Sequence, residues 1–326
     1  MAKKSVPRWR RSFEYGAFRF FYGLFRRIPL AAAYRIAHAV FLLFYWLDLR
    51  HRRRLISHLL HASVVKSRPE AAVYSRRVLR EYSKLFVEIV KQDQHYDLRK
   101  IRVTGPQKSI DYLFSKDRPN HNVILVSAHY GNWEINGISI SELSGVPMCS
   151  VVRPFDNPAI GEFINANRRS RLHDIVGKDG CLRPLLRMLK RGGTVNLLID
   201  QHASRTEGVE TVFFGHPCRT HISPALLHLK TGVPILPEIT RRINDDFEFE
   251  IVLGDLIEYQ PTGCRRHDVR EITQLCTTGL EQLIAQDPVQ WMWVARRWLD
   301  INRSRKNTET QAEDALLSVS AAVHTV

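Results

Sequence analysis

Residues 123–134 read VILVSAHYGNWE: an apolar run that ends in a histidine, then a glycine-containing turn, then a glutamate five positions after the histidine. The run 123–128 carries no charge and fits a buried strand that delivers His129 to its carboxyl end. On one continuous helix, five residues amount to about 500° of rotation, so His129 and Glu134 would point apart. A strand-turn-helix corner is the geometry that joins them. Gly131 gives the corner its backbone freedom, and Asn132 suits the N-cap of a helix starting at Trp133. The chemistry this predicts is proton abstraction by the His129 imidazole, with its other nitrogen held by the Glu134 carboxylate. The competing reading is a structural histidine at a strand end, because a lone His-x4-Glu spacing arises often by chance.

The rhythm around this stretch repeats. Apolar runs at 123–128, 148–152, 194–199, 234–239 and 247–253 read as strands, and 135–143, 158–172, 182–190, 223–230 and 269–285 read as helices. Alternation of this kind predicts an α/β fold with a mainly parallel central sheet flanked by helices. Upstream, 55–96 has helical periodicity with a break at Pro69, and Val78, Leu79, Tyr82, Leu85, Phe86 and Ile89 recur at core-facing spacing. Residues 100–122 read as a polar linker. The expected organisation is a basic, apolar, membrane-associated helical segment over 1–54, an α/β domain over 55–303, and a disordered tail over 304–326.

In open α/β sheets ligands gather at the carboxyl ends of the strands. The residue following each of three apolar runs is His129, Arg153 and Asp200, a base, a cation and a carboxylate. Three unlike polar groups after three buried strands form a site hypothesis. Taken singly, Arg153 fits a surface turn and Asp200 a loop cap.

The net charge is +15, and +11 of it falls in residues 1–54, where thirteen Lys or Arg face only Glu14 and Asp48. Phe, Tyr and Leu are interleaved with these cations, which favours an anionic membrane surface over nucleic acid. No small-residue cleavage site follows the apolar part, so it does not read as a cleavable signal. Residues 28–47 are long enough to span a bilayer but contain Pro29, Arg35 and His38, and a mid-bilayer Arg costs roughly 2.5–3.5 kcal/mol. An interfacial helix or shallow hairpin satisfies this better than a span. The five cysteines show no C-x-x-C spacing, so neither a disulfide framework nor a thiolate zinc site is indicated, and reduced thiols on a cytosolic face are expected. The spacings of His202, His216 and His221 suit no common zinc pattern, so no metal is expected.

Several segments in order give a resemblance: SAHYGNWE at 127–134, VRPFDNP at 152–158 with NRR at 167–169, NLLIDQ at 196–201, the stretch 208–237 with its FFG, and PVQWMWVARRW at 288–298. Together they resemble the bacterial lipid A late acyltransferases, within the wider lysophospholipid acyltransferase superfamily. The resemblance implies a glycerolipid acyltransferase-like fold, with His129 as general base and Glu134 as its partner. It implies oxyanion stabilisation or substrate positioning by Arg153 and Asn132, and substrate binding by Asp200, Gln201, Arg169 and Arg297. Val152 stands where the family usually has Tyr. Trp291, Trp293 and Trp298 are expected at headgroup level, with Arg296 and Arg297 on phosphates; for the tryptophans, core packing is the alternative. The implied reaction carries an acyl chain from an acyl thioester, on acyl carrier protein with acyl-coenzyme A as the alternative, to a hydroxyl of a lipid A precursor at the inner membrane. The thioester is a substrate, so no cofactor is implied. Rival readings are another glycolipid or lysophospholipid acceptor, a hydrolase, and a non-enzymatic basic membrane-binding protein.

Overall fold

The computed structural model describes residues 7–115 and 122–298; the tail expected at 304–326 lies outside them. Four helices come first: α1 (Arg8–Arg27), α2 (Leu30–Leu47), α3 (Leu49–His61) and α4 (Arg68–His95). Pro69 is the break the sequence predicts, and it sits in the first turn of α4, where a missing N–H costs nothing. Ser67 caps that helix by accepting from Glu70 N, while the Glu70 carboxylate reaches back to Lys66 N.

The α/β part follows as β1 (Ile101–Thr104), α5 (Gln107–Phe114), β2 (Ile124–Ser127), α6 (Asn136–Ser144), β3 (Met148–Val152), α7 (Pro158–Arg168), β4 (His173–Gly177), α8 (Leu182–Lys190), β5 (Thr194–Leu198), β6 (Gly208–Phe213), β7 (His216–His221), α9 (Ser223–Thr231), β8 (Ile235–Arg242), β9 (Phe249–Leu253) and α10 (Arg265–Gln286). The main sheet has the order β1-β9-β8-β2-β5-β3-β4, and only β8–β9 is antiparallel. The predicted mainly parallel sheet flanked by helices is therefore the fold.

Each of the five predicted strands is present. The "linker" at 100–122 holds β1 and α5, and the long helix predicted over 158–172 stops at Arg168 to leave room for β4. Strands β6 and β7 form a hairpin outside the main sheet. Its two-residue turn places Phe214 at φ +48° and Gly215 at φ +73°, the left-handed pair that a tight hairpin demands.

Strand β2 is fully buried and central, with β5 on one side and β8 on the other. Its register against β5 sets Ser127 opposite Leu198. Two residues further on, the same register brings His129 level with Asp200.

Helix α2 packs on α4 through Ala33, Tyr34, Ala37 and Tyr45. Tyr45 Oη meets Ser75 Oγ at 2.7 Å, and Tyr34 donates to Glu88 at 3.4 Å. Both ends of α2 are thus tied along α4, while Ile36, Val40, Leu43, Phe44 and Leu47 remain exposed. Exposed Trp9, Phe13, Phe20, Phe21 and Leu24 extend the apolar surface onto α1. By length and composition α2 could cross a membrane. The helix lies lengthwise on α4 with one apolar face outward. The α2–α4–β8 seam is held by buried Arg242, which donates to Glu88 and to Glu81 at 3.0 Å.

Candidate active site

Gly131 makes the corner possible. Its φ is +53°, and a Cβ there would lie 2.1 Å from Thr240 O, so both conformation and space require glycine. The backbone N–H groups of the turn are consumed by the fold itself. His129 N donates to Asp200 Oδ2 (2.9 Å), Tyr130 N to Ala128 O (2.8 Å), Gly131 N to Gln290 O (3.1 Å) and Asn132 N to Thr240 O (3.2 Å). None of these four groups is left over to donate to an oxyanion.

His129 Nδ1 lies 2.8 Å from Asp200 Oδ1, and Trp291 Nε1 donates to Asp200 Oδ2 at 2.8 Å. Asp200 is buried, while the His129 side chain keeps 22% of its surface open. Burial alone would raise the Asp200 carboxyl; the facing imidazole and the hydrogen bonds from His129 and Trp291 outweigh it and hold the group below the usual carboxylate range. A carboxylate on Nδ1 fixes the tautomer that leaves Nε2 as the proton acceptor. The edge of Trp133 packs against the ring, with centroids 5.0 Å apart. Gln201 Nε2 is 3.3 Å from both ring nitrogens, so it sits over the imidazole face.

This corrects the expected partner. Glu134 does not orient His129; its carboxylate grips Arg168 in a two-pronged pair, at 2.6 Å to Nε and 2.8 Å to Nη2. The reason is the turn itself, because α6 starts at Asn136 rather than Trp133 and the three intervening residues carry Glu134 round toward the end of α7. Arg168, which sequence reasoning passed over although it sits in the quoted NRR, is tied to the corner through Glu134, and Asn165 Oδ1 steadies it at 3.0 Å. Asn132 does not cap α6. It is buried, its Oδ1 closes a local turn by accepting Glu134 N at 3.2 Å, and its Nδ2 is buried with no acceptor among the described residues.

Of the three strand-end groups, only His129 and Asp200 converge. Arg153 is exposed past the end of β3, which lies two strand spacings, about 10 Å, from β2. Arg169 is likewise exposed and pairs with Glu162 at 2.8 Å. Arg297 is buried rather than placed for phosphates. It donates to the carbonyls of Ile199, Gln201 and Arg219 and to Thr220 Oγ1 (2.8 Å), and lies 4.6 Å over the Phe213 ring, so it clamps the turn that carries Asp200. Trp291, Trp293 and Trp298 are buried in an aromatic cluster with Phe213 and Phe214, which places them in the core and not at headgroup level. Among the described residues no group of three His, Cys, Asp or Glu side chains is arranged to hold a metal ion.

A run of aromatic contacts leads from the N-terminal helices to the imidazole. Phe25 meets Phe86 (5.5 Å), Phe86 meets Phe41 (6.4 Å), Phe41 meets Tyr82 (5.8 Å), Tyr82 meets Trp133 (6.3 Å), and Trp133 borders His129. The corner is therefore an imidazole held by a buried carboxylate, at the end of a run of packed aromatic rings that begins at the N-terminal helices.

Comparison with known proteins places the chain in a family. Residues 25–300 match the family model described as bacterial lipid A biosynthesis acyltransferase. A phosphatidylinositol mannoside acyltransferase of Mycobacterium tuberculosis (strain CDC 1551 / Oshkosh) is 28% identical over 210 residues, 63% of this chain and 63% of the relative. One from Mycolicibacterium smegmatis is 24% identical over 202 residues, 60% of this chain and 64% of the relative. The matched part thus spans under two thirds of the length of these curated relatives.

Proposed function

Because the chain belongs to the bacterial lipid A biosynthesis acyltransferase family, we propose that it moves an acyl chain from an acyl thioester to a sugar hydroxyl of a membrane glycolipid. The observation that carries this reading is the buried carboxylate of Asp200 on His129 Nδ1, with 22% of the His129 side chain left exposed. His129 Nε2 takes the hydroxyl proton as the oxygen attacks the thioester carbonyl. The C–O bond forms, the C–S bond breaks, and the imidazolium returns its proton to the departing thiolate. Asp200 stabilises the imidazolium between these steps. Asn132 Nδ2, buried three residues after the base and lacking an acceptor, is the donor best suited to the oxyanion.

No covalent acyl-enzyme is invoked. Cys149 and Cys276 are buried and their thiols are pushed up to about 12, which removes the thiolate at neutral pH. The acyl chain follows the aromatic path from Phe25 to Trp133. The exposed apolar faces of α1 and α2 rest on the cytoplasmic side of the inner membrane, among anionic headgroups.

For the finer assignment, a lipid A precursor is the first acceptor and acyl carrier protein the first donor, since an acidic carrier complements the +15 charge. The names of the mycobacterial relatives favour a phosphatidylinositol mannoside as the second acceptor. The test incubates purified protein with acyl-loaded carrier protein and either glycolipid, or none, followed by mass spectrometry. One added acyl group on a glycolipid supports the proposal. Free fatty acid formed at the same rate without acceptor would make the protein a hydrolase. No turnover with vesicle binding intact would leave a membrane-binding protein.

A further inference from the structure

The segment after α10 is laid against the catalytic corner. Trp291 bridges Tyr130 in antiparallel fashion, Gln290 O accepts Gly131 N at 3.1 Å, and Met292 N donates to His129 O at 2.9 Å. This strap fixes the Trp291 indole, 1% exposed, with its N–H on Asp200 Oδ2. The same oxygen accepts His129 N at 2.9 Å. Two donors on Oδ2 set the plane of the carboxylate, and Oδ1 is thereby turned to His129 Nδ1.

We propose that Trp291 is a positioning residue of the acyl transfer: its indole N–H holds the Asp200 carboxylate in the rotamer that meets the imidazole and withdraws part of the negative charge the imidazolium would otherwise feel. The proposal rests on the reading of His129 as the base. The groups facing the pair are few. His129 approaches from β2. Arg297 comes from the strap, holding the carbonyls on either side of Asp200, and neutral Gln201 lies over the ring. Glu134, in the neighbouring turn, is neutralised by Arg168. Of these, Trp291 alone donates a side-chain N–H from outside the pair to the Asp200 carboxylate.

The cleanest perturbation is benzothienylalanine at position 291, which replaces the N–H with sulfur at nearly constant shape; Trp291→Phe is the simpler companion. A carboxylate with one donor fewer attracts the imidazolium more strongly, so the acid limb of the pH–rate profile should move up by about half to one pH unit. On the plateau kcat should fall about three- to ten-fold, a fraction of what acid–base catalysis supplies, with KM little changed. The His129 Nδ1–H proton resonance should shift downfield in the intact protein. An unmoved acid limb together with an unmoved resonance, whatever happens to rate or thermal stability, would make Trp291 a core residue only. If Trp291→Phe does not fold, the isostere decides. The resonance needs no substrate, so it tests Trp291 even if the protein proves not to transfer acyl groups.

Discussion

Asp200→Asn removes the charge that faces the base while keeping the side chain's size. At 2.8 Å and an effective dielectric constant of about 20, an imidazolium and a carboxylate attract by about 6 kcal/mol. The charge centres lie somewhat farther apart than the contacting atoms, so the usable part is about 4–5 kcal/mol. At 1.36 kcal/mol per decade, kcat should fall on the order of 10³-fold or more. The assay is initial-rate acyl transfer across pH 5–9, with thermal unfolding confirming that the variant is folded. Glu134→Gln is the paired control. It loosens Arg168 but leaves the carboxylate on Nδ1, so the acid limb of its pH profile should stay where it is in the wild type. A loss under ten-fold in Asp200→Asn, or an acid limb that moves in Glu134→Gln instead, would refute the assignment of Asp200 as partner of the base.

Three further outcomes are expected. Gly131→Ala must place a Cβ 2.1 Å from Thr240 O at φ +53°, and should cost about 2–4 kcal/mol in denaturant unfolding and abolish transfer. Buried Glu238 has its carboxyl pushed up to about 7 by burial, against the opposing hydrogen bonds of Ser127 and Asn136. Its raised value means the folded state holds the proton longer, so stability should fall as pH rises from about 4.5 to 7 and level off above; Glu238→Gln should remove roughly 3 kcal/mol of that slope, read from unfolding at pH 5 and pH 8. Replacing exposed Ile36, Val40 and Leu43 with Glu should remove roughly 3 kcal/mol of insertion, about 100-fold in vesicle affinity, without lowering Tm; unchanged binding would show that another face meets the membrane.

The fold was largely legible because buried strands carry short apolar runs, nearly unbroken in β2 and β3 and interrupted by single polar residues in β5, β8 and β9. Strand β4, HDIVG, escaped because its short apolar core is broken by polar residues. The β6–β7 hairpin escaped because its inward positions Val209, Thr211 and Phe213 alternate with exposed ones, a pattern that in this stretch also suits a loop. At the site, the histidine proposed as base could be found locally but the carboxylate that holds it could not. Asp200 lies 71 positions from His129 and meets it only through the β2–β5 register, whereas Glu134 was near in sequence and was turned away by three residues of tight turn. Charge was the least reliable guide to position: Arg153 faces solvent, Arg297 is buried as a clamp, and Arg168, which does reach the corner, is indistinguishable from Arg169 in the sequence. Burial of an arginine depends on which carbonyls and carboxylates fold around it, and no single-residue pattern records that.

The most direct test of the central claim compares purified wild-type protein with His129→Ala, using an acyl thioester carrying an isotopically labelled chain and a glycolipid acceptor. The label should appear in an ester on the glycolipid with the wild type and stay on the thioester with the variant, both proteins remaining folded. Equal transfer of label by the two proteins would contradict the account.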